Sequence, residues 1–356
     1  MPVKRRFILV FGIIILTVIP AVVMVLVTWA GTGQPQAAAA WASLPAIVGL
    51  GAAVAGGRHY AVVTAFVMAF IAPVSIVAGL SPASGAALMA LMCLMVGRMS
   101  RYGLQKSALL VPVMLSWTLI DPPTWAGATT VDRLDTGYLL WMTVIFFVGG
   151  LIPALIVPRL MRTRPAPHLQ PHTQREAVTY TVMITILVTV GTFWVLDHPK
   201  NVGGAFLIAV ILVMAPIGNA QTIMPTIWRI VGTVAGSILV VLLVSQVTSL
   251  AVIYLFGVVF IGIALFARFS GYAWIYYVFM VPATATLNAT TLSQVGQLGK
   301  QRVADNLVGG ILVILASIIA IGYSHWASRH DQATNTDHEL DTALEDNPAP
   351  LSSAAH

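Results

Sequence analysis

Long unbroken apolar runs separated by short polar breaks fill most of the chain. They fall at about 7–30, 37–57, 59–80, 82–98, 104–121 and 138–158. After a polar stretch they resume at about 176–196, 202–221, 226–247, 251–268, 271–291 and 303–326. A helix needs roughly 20 apolar residues to cross a bilayer, and the runs match that length. The short alternating strands of a membrane barrel are not seen. The pattern therefore predicts an all-α polytopic membrane protein with about twelve transmembrane helices. The first run follows Lys4, Arg5 and Arg6 and looks at first like a secretion signal. It is longer than the roughly 7–15 residues of a signal core, and is read as the first span.

Composition narrows the picture. Apolar residues make up 58% of the 356 positions and charged residues 8%, too few to cover a globule in water. The net charge of +6 does not point to nucleic acid, because the basic residues stand singly or in small groups between apolar runs. They act instead as topology signals. With the N-terminus inside, the inner side receives Lys4, Arg5, Arg6, Arg58, Arg98, Arg101, Lys106, Arg159, Arg162, Arg164, Arg175, Arg229, Arg268 and Arg329. The outer side receives only Arg133, Lys200, Lys300 and Arg302. Basic loops stay cytoplasmic, so this asymmetry predicts an even number of spans with both termini cytoplasmic. Cys93 is the single cysteine, which excludes an intramolecular disulfide.

The expected organisation is a first six-helix repeat over 1–158, a basic cytoplasmic linker over 159–175, a second six-helix repeat over 176–326 and a disordered acidic tail over 327–356. Pro45, Arg58, Ala61 and Ala65 recur 171 residues later as Pro216, Arg229, Gly232 and Gly236. Six spans per half give the two copies the same orientation, related by an axis along the membrane normal. Pro45 and Pro216 remove a backbone donor inside a span and predict kinked or broken second and eighth helices. Such interruptions at matching places point to a transport site. Asn219 and Gln221 follow the second of these prolines as candidate substrate contacts. The small-residue stripes Ala61-x-x-x-Ala65 and Gly232-x-x-x-Gly236 read as close helix-packing surfaces. The third and ninth spans are expected to meet there, near the axis.

The candidate chemistry is sparse. Arg58 and Arg229 each open a span at its inner end; as guanidinium groups they can bind carboxylates through paired hydrogen bonds, or simply anchor the helix at the interface. Arg133, Asp135, Arg302 and Asp305 sit where the sixth and twelfth spans begin, on the outer side, either as a gate or proton site or as helix caps. No charged residue is expected at the middle of any span. In the eleventh span Tyr276, Tyr277 and Asn288 offer stacking and hydrogen bonding, against the alternative of an interfacial aromatic belt. No phosphate loop, metal-ligand spacing or nucleophile motif occurs. An enzyme is therefore not expected, nor a metal or cofactor.

Arg229-Ile-Val-Gly-Thr-Val-Ala-Gly resembles the Arg-x-x-Gly-Thr-x-x-Gly signature of the fusaric acid resistance (FUSC-like) membrane family, which includes aromatic acid exporters. Arg302-Val-Ala-Asp305-Asn306, followed by Gly309, resembles a second family feature that opens the last span of a repeat. The first half carries a weaker version, Arg133-Leu-Asp135-Thr136-Gly137, and lacks the Gly-Thr pair after Arg58. The resemblance implies a secondary transporter, with small aromatic or other organic acids as exported substrates. It also implies partners in the lipid bilayer, the organic anion and, as in some members, a periplasmic adaptor protein, with a homo-oligomer as a further arrangement. The alternative is a non-transporting membrane scaffold whose basic linker and acidic tail bind partner proteins.

Overall fold

The computed structural model describes residues 42–123, 131–160, 171–198, 204–215, 223–247, 249–270, 272–288, 295–297 and 299–319, with scattered positions between 12 and 27 and position 322. Most of the first apolar run, the middle of the linker and the acidic tail lie outside the described residues. Among the described residues every regular element is a helix. In chain order these are α1 (Ser43–Ala78), α2 (Pro82–Ser100), α3 (Gln105–Ala108), α4 (Leu110–Ile120), α5 (Thr136–Leu160), α6 (Gln174–Asp197), α7 (Gly204–Met214), α8 (Ile223–Gln246), α9 (Leu250–Ser270) and α10 (Ala273–Asn288). A last helix, α11, covers 299–319. Residues from Leu315 onward separate as a small second unit, whose described stretch 315–319 is helical.

Six described segments are long and apolar enough to cross a bilayer: Leu44–Ala78, Pro82–Ser100, Thr136–Arg159, Gln174–Asp197, Ile227–Gln246 and Val295–Ile319. Their outer faces are as greasy as their cores. Phe70 is 68% exposed and Leu140 67%, and on α6 the exposed side chains include Val178, Val182, Ile186 and Val190. A helix apolar on every side belongs in lipid rather than in water. The protein is thus a multi-pass helical membrane protein.

The 36-residue α1 is two helices. Gly57 has φ 75° and ψ −168°, a backbone conformation open essentially to glycine alone. The arms 43–56 and 58–78 fold back on each other there, as the contacts of α5 require. Gly49 on the first arm and Ala65 on the second both touch Gly150. Sixteen residues of straight helix would hold them about 24 Å apart. Near the turn, Ala52, Ala53 and Ala61 share one cluster with Ala154 and Val157. The interruption therefore falls at Gly57 and not at Pro45. Pro45 stands in the first turn of α1, where a backbone donor has no intrahelical partner in any case.

Small residues set the spacing of the remaining helices. A Cβ on Gly150 would lie 3.1 Å from that of Ala65, and a Cβ on Gly149 2.5 Å from Pro45 Cγ. Gly97 lets Thr181 of α6 against α2. α6 is launched by a capping box: Thr173 Oγ1 accepts from the Glu176 amide at 3.3 Å, and Glu176 Oε2 accepts from the Thr173 amide at 3.1 Å. The stripe Gly232/Gly236 packs on α10, whereas Ala65 packs on α5. Each stripe thus works within its own half, rather than joining the third span to the ninth. Gly232 and Gly236 lie in a continuous helix, so they admit a neighbour and break nothing.

At the centre lies α7, whose side chains are almost all buried. It packs against α4 and α6, and Ser116 Oγ donates to Ala205 O at 3.2 Å. α7 stops at Met214 because residue 215 precedes Pro216, and a proline disfavours helical geometry in the residue before it. Pro216 itself, with Asn219 and Gln221, lies outside the described residues.

The turn at Gly57 gives a direct test. Nothing lies within 4 Å of a Cβ built there, so Gly57→Ala introduces backbone strain without a clash. We expect a stability loss of about 1–3 kcal/mol, read as a lower unfolding midpoint in detergent. An unchanged midpoint would contradict the folded-back reading of α1.

Candidate functional site

The glycines of α8 bring aromatic residues to an arginine. A Cβ on Gly232 would sit 2.6 Å from Tyr277 Cβ, and one on Gly236 would strike Val278 O. Only glycine allows α10 this close to α8, and that approach puts the Tyr277 ring 5.8 Å from the Arg229 guanidinium carbon. Tyr276 stands edge-on to Tyr277, ring centroids 5.2 Å apart. Thr233 Oγ1 donates to Arg229 O at 2.8 Å, so this hydroxyl is satisfied on its own helix.

α8 runs antiparallel to α11. Ser237 Oγ donates to Gly299 O at 2.9 Å, Arg229 Nε donates to Asn306 Oδ1 at 3.2 Å, and Ile230 lies against Gly310. Ser237 thus meets the start of α11, while Arg229 and Ile230 meet positions 306 and 310 further along it. Asn306, 1% exposed, also donates from Nδ2 to Arg302 O at 2.7 Å. One turn away, Arg302 is 3% exposed. Its guanidinium carbon lies 3.6 Å from the centre of the Phe206 ring on α7 and 5.2 Å from that of Trp117 on α4. Arg302 Nε has no hydrogen-bond partner, and neither does the buried Oδ2 of Asp305. Gly309 lets Val210 of α7 in beside this group.

Magnitudes show what is missing. Taking a guanidinium out of water costs several kcal/mol even after relaxation. Each aromatic face returns about 0.5–2 kcal/mol. Among the described residues neither Arg229 nor Arg302 forms a salt bridge, and the only carboxylate in the cluster is Asp305. Two guanidiniums against one carboxylate leave a net positive charge, with Arg302 against Phe206 and Trp117 and Arg229 against Tyr277. A planar carboxylate fits such a place, because it takes paired hydrogen bonds from a guanidinium while its apolar body lies on the rings.

The arrangement differs from the expected one in depth. Arg302 and Asp305 were expected at the outer mouth, where a span beginning at about 303 opens. The helical span runs over Val295–Ile319, with Asn306 near its midpoint. Arg302 and Asp305 therefore stand on the helix rather than ahead of it, and Asn306 beside them bonds to Arg229. Hydropathy mistook the start because Gln, Lys and Arg are good helix formers, and α11 continues through them.

The counterparts in the first half behave otherwise. Arg58 is exposed beside the Gly57 turn and is not joined to Arg229 by any contact among the described residues. Arg133 caps helix ends: Nη1 donates to Leu119 O at 2.8 Å and Ile76 O at 3.4 Å, and Nη2 to Ile120 O at 3.1 Å. Burial pulls its proton affinity below the ordinary arginine range, and the neighbouring Tyr138 and Asp121 oppose that shift. Asp135 takes the amides of Gly137 and Tyr138 at 3.0 and 3.2 Å, capping α5. Asn288 ends α10, and its side chain lies outside the described residues.

Three members of the cluster were not named as site residues in the sequence. Trp117 and Phe206 sit in plain apolar runs, where an aromatic reads as core. Asn306 was visible inside the Arg302 motif, and its position next to Asp305 was the available signal.

Arg133 serves three carbonyls through a planar fork that an ammonium lacks. Arg133→Lys should therefore lose about 1–3 kcal/mol, measured as the unfolding midpoint in detergent. Full retention with lysine would show that charge alone suffices.

Residues 184–316 match the family described as fusaric acid resistance protein-like. This stretch contains every residue of the cluster except Trp117, and the FUSC-like resemblance is shown for it. No curated protein and no solved structure matches the chain.

Proposed function

We propose that this protein is a secondary transporter of the bacterial inner membrane that exports small organic anions, aromatic acids among them. The observation that carries the reading is Arg302, buried between two aromatic rings with Nε unpartnered, one turn from the Arg229–Asn306 bond. A FUSC-like segment holding that cluster agrees with transport rather than scaffolding.

The bundle is read as two six-helix repeats, twelve spans in all, with both termini cytoplasmic. In its support, matching helices pack alike. The second arm of α1 lies on α5 through Ala65 and Gly150, and α8 lies on α11 through Ser237 and Gly299. The 171-residue offset relates α1 to α8, and α5 and α11 are the sixth helices of their halves. Substrate sites between such repeats sit near the bilayer midplane, at interrupted helices. The short α7, ending before Pro216, is such an element. Export of an anion is favoured by a membrane potential that is negative inside, by about 2.3 kcal/mol per charge at 100 mV.

The test uses cells lacking the protein, complemented with wild type, Arg302→Leu, Arg302→Lys or Arg229→Ala. Resistance to a panel of organic acids and efflux of radiolabelled benzoate are read together with membrane abundance. Losing a bond to a charged group, about 1.5–3 kcal/mol, should weaken anion affinity about 10- to 150-fold in Arg302→Leu. Lysine should rescue little, since it cannot stack on Phe206 as a planar group. Wild-type resistance and efflux in both Arg302→Leu and Arg229→Ala would remove the anion-binding role.

A further inference from the structure

Asp305 has no task in the reading above, yet it is the one carboxylate in the cluster. It stands three residues after Arg302, on the same face of α11. Its Oδ2 is buried and accepts no hydrogen bond, while Arg302 Nε, also buried, donates none. Around Arg302 and Asn306 on this helix stand the indole of Trp117 on α4, the ring of Phe206 on α7 and Arg229 on α8 with its bond to Asn306, and Tyr276 and Tyr277 of α10 stand on the Arg229 side. The guanidiniums stay protonated at any working pH. Asp305 is then the group of this cluster whose charge a proton can remove.

We infer that Asp305 is the built-in competitor of the transported anion for Arg302, and that protonation of Asp305 switches anion binding on. The charge count makes the point. With Asp305 ionised, two guanidiniums and one carboxylate leave a single positive charge, and the carboxylate attracts the same guanidinium that the substrate needs. A proton on Oδ2 removes that competitor and leaves both guanidiniums to the ligand. In a site with little water such a change is felt far more strongly than at a surface. Linkage makes the effect reciprocal: a bound anion favours the proton on Asp305 by the same factor by which the proton favours the anion. The proton comes from solvent and returns to it, and no covalent bond other than O–H changes. Anion affinity is thus highest on the acidic side, and falls as pH rises through the ionisation of Asp305.

This inference rests on the anion site proposed above, and the experiment separates the two. Purified full-length protein in detergent is titrated with benzoate across a pH range in which benzoate itself stays ionised. Affinity is followed by scintillation, and proton exchange by a dye in weakly buffered solution. For wild type we expect affinity to rise about tenfold toward the acidic end, with protons taken up as benzoate binds. Asp305→Asn should bind with the acidic-side affinity at every pH and exchange no protons. Asp305→Glu should restore the pH dependence. Benzoate binding by wild type without proton uptake overturns the inference, whatever the variants do, and so does a wild-type pH profile in Asp305→Asn. Either result leaves the anion site standing. Failure of wild type to bind benzoate at any pH removes the anion site, and this inference with it.

Discussion

In hydrocarbon there is no water to complete a hydrogen bond, so each polar group of a membrane protein must find its partner inside the protein. Most of the described polar side chains obey that rule locally. Thr64, Thr143, Thr181, Thr233 and Thr286 return their hydroxyls to a carbonyl four residues back. Ser75 and Thr118 meet at 2.6 Å between α1 and α4. Arg133 closes the free carbonyls at the ends of two helices. Gln105, Thr185, Thr189 and Thr192 also keep a buried oxygen without a partner, but in that set Arg302 and Asp305 are the charged residues, and an unsatisfied charged group is the most expensive thing to keep in such a medium.

The same constraint explains why glycine carries so much of the chemistry. Helices in lipid gain little from burying apolar surface against one another, and they associate where small residues let backbones approach. At Gly232 and Gly236 that approach does more than pack. It fixes Tyr277 beneath Arg229, and it fits α10 to the helix that holds the arginine. At Gly309 it lets α7 in, and α7 brings Phe206 to Arg302. Packing and site geometry are here a single interaction: the glycine positions of the FUSC-like motif set where the arginines and rings meet.

Positions matched between the halves have taken different work. Arg133 spends its donors on the ends of α1 and α4, whereas Arg302 keeps Nε unbonded between two rings. Arg58 lies exposed at a turn, whereas Arg229 reaches across to another helix. Chain geometry accounts for the second contrast. Gly57 turns the chain just before Arg58 and holds it at a tip, whereas Arg229 lies six residues inside a helix, opposite the middle of α11.

Hydropathy alone determined the membrane class, the helical content and the position of nearly every apolar run, because in lipid an apolar run of the right length has few alternatives to a helix. The second and third runs, 37–57 and 59–80, already divided where the chain turns at Gly57, and the spacing of Gly232 and Gly236 already marked a packing face. Depth was not legible. Whether Arg302 lies at a mouth or in the middle depends on where α11 begins, and a polar helical turn looks like a loop in the sequence. Nor could periodicity show that Trp117 and Phe206 meet Arg302. Residues about 100 and nearly 200 positions apart are brought together by the burial of α7 among its neighbours, and an aromatic in an apolar run reads as core until the group it faces is known. The sequence supplied the charges and the small residues. Only the packing of helices from both ends of the chain decided which of those charges lost their water.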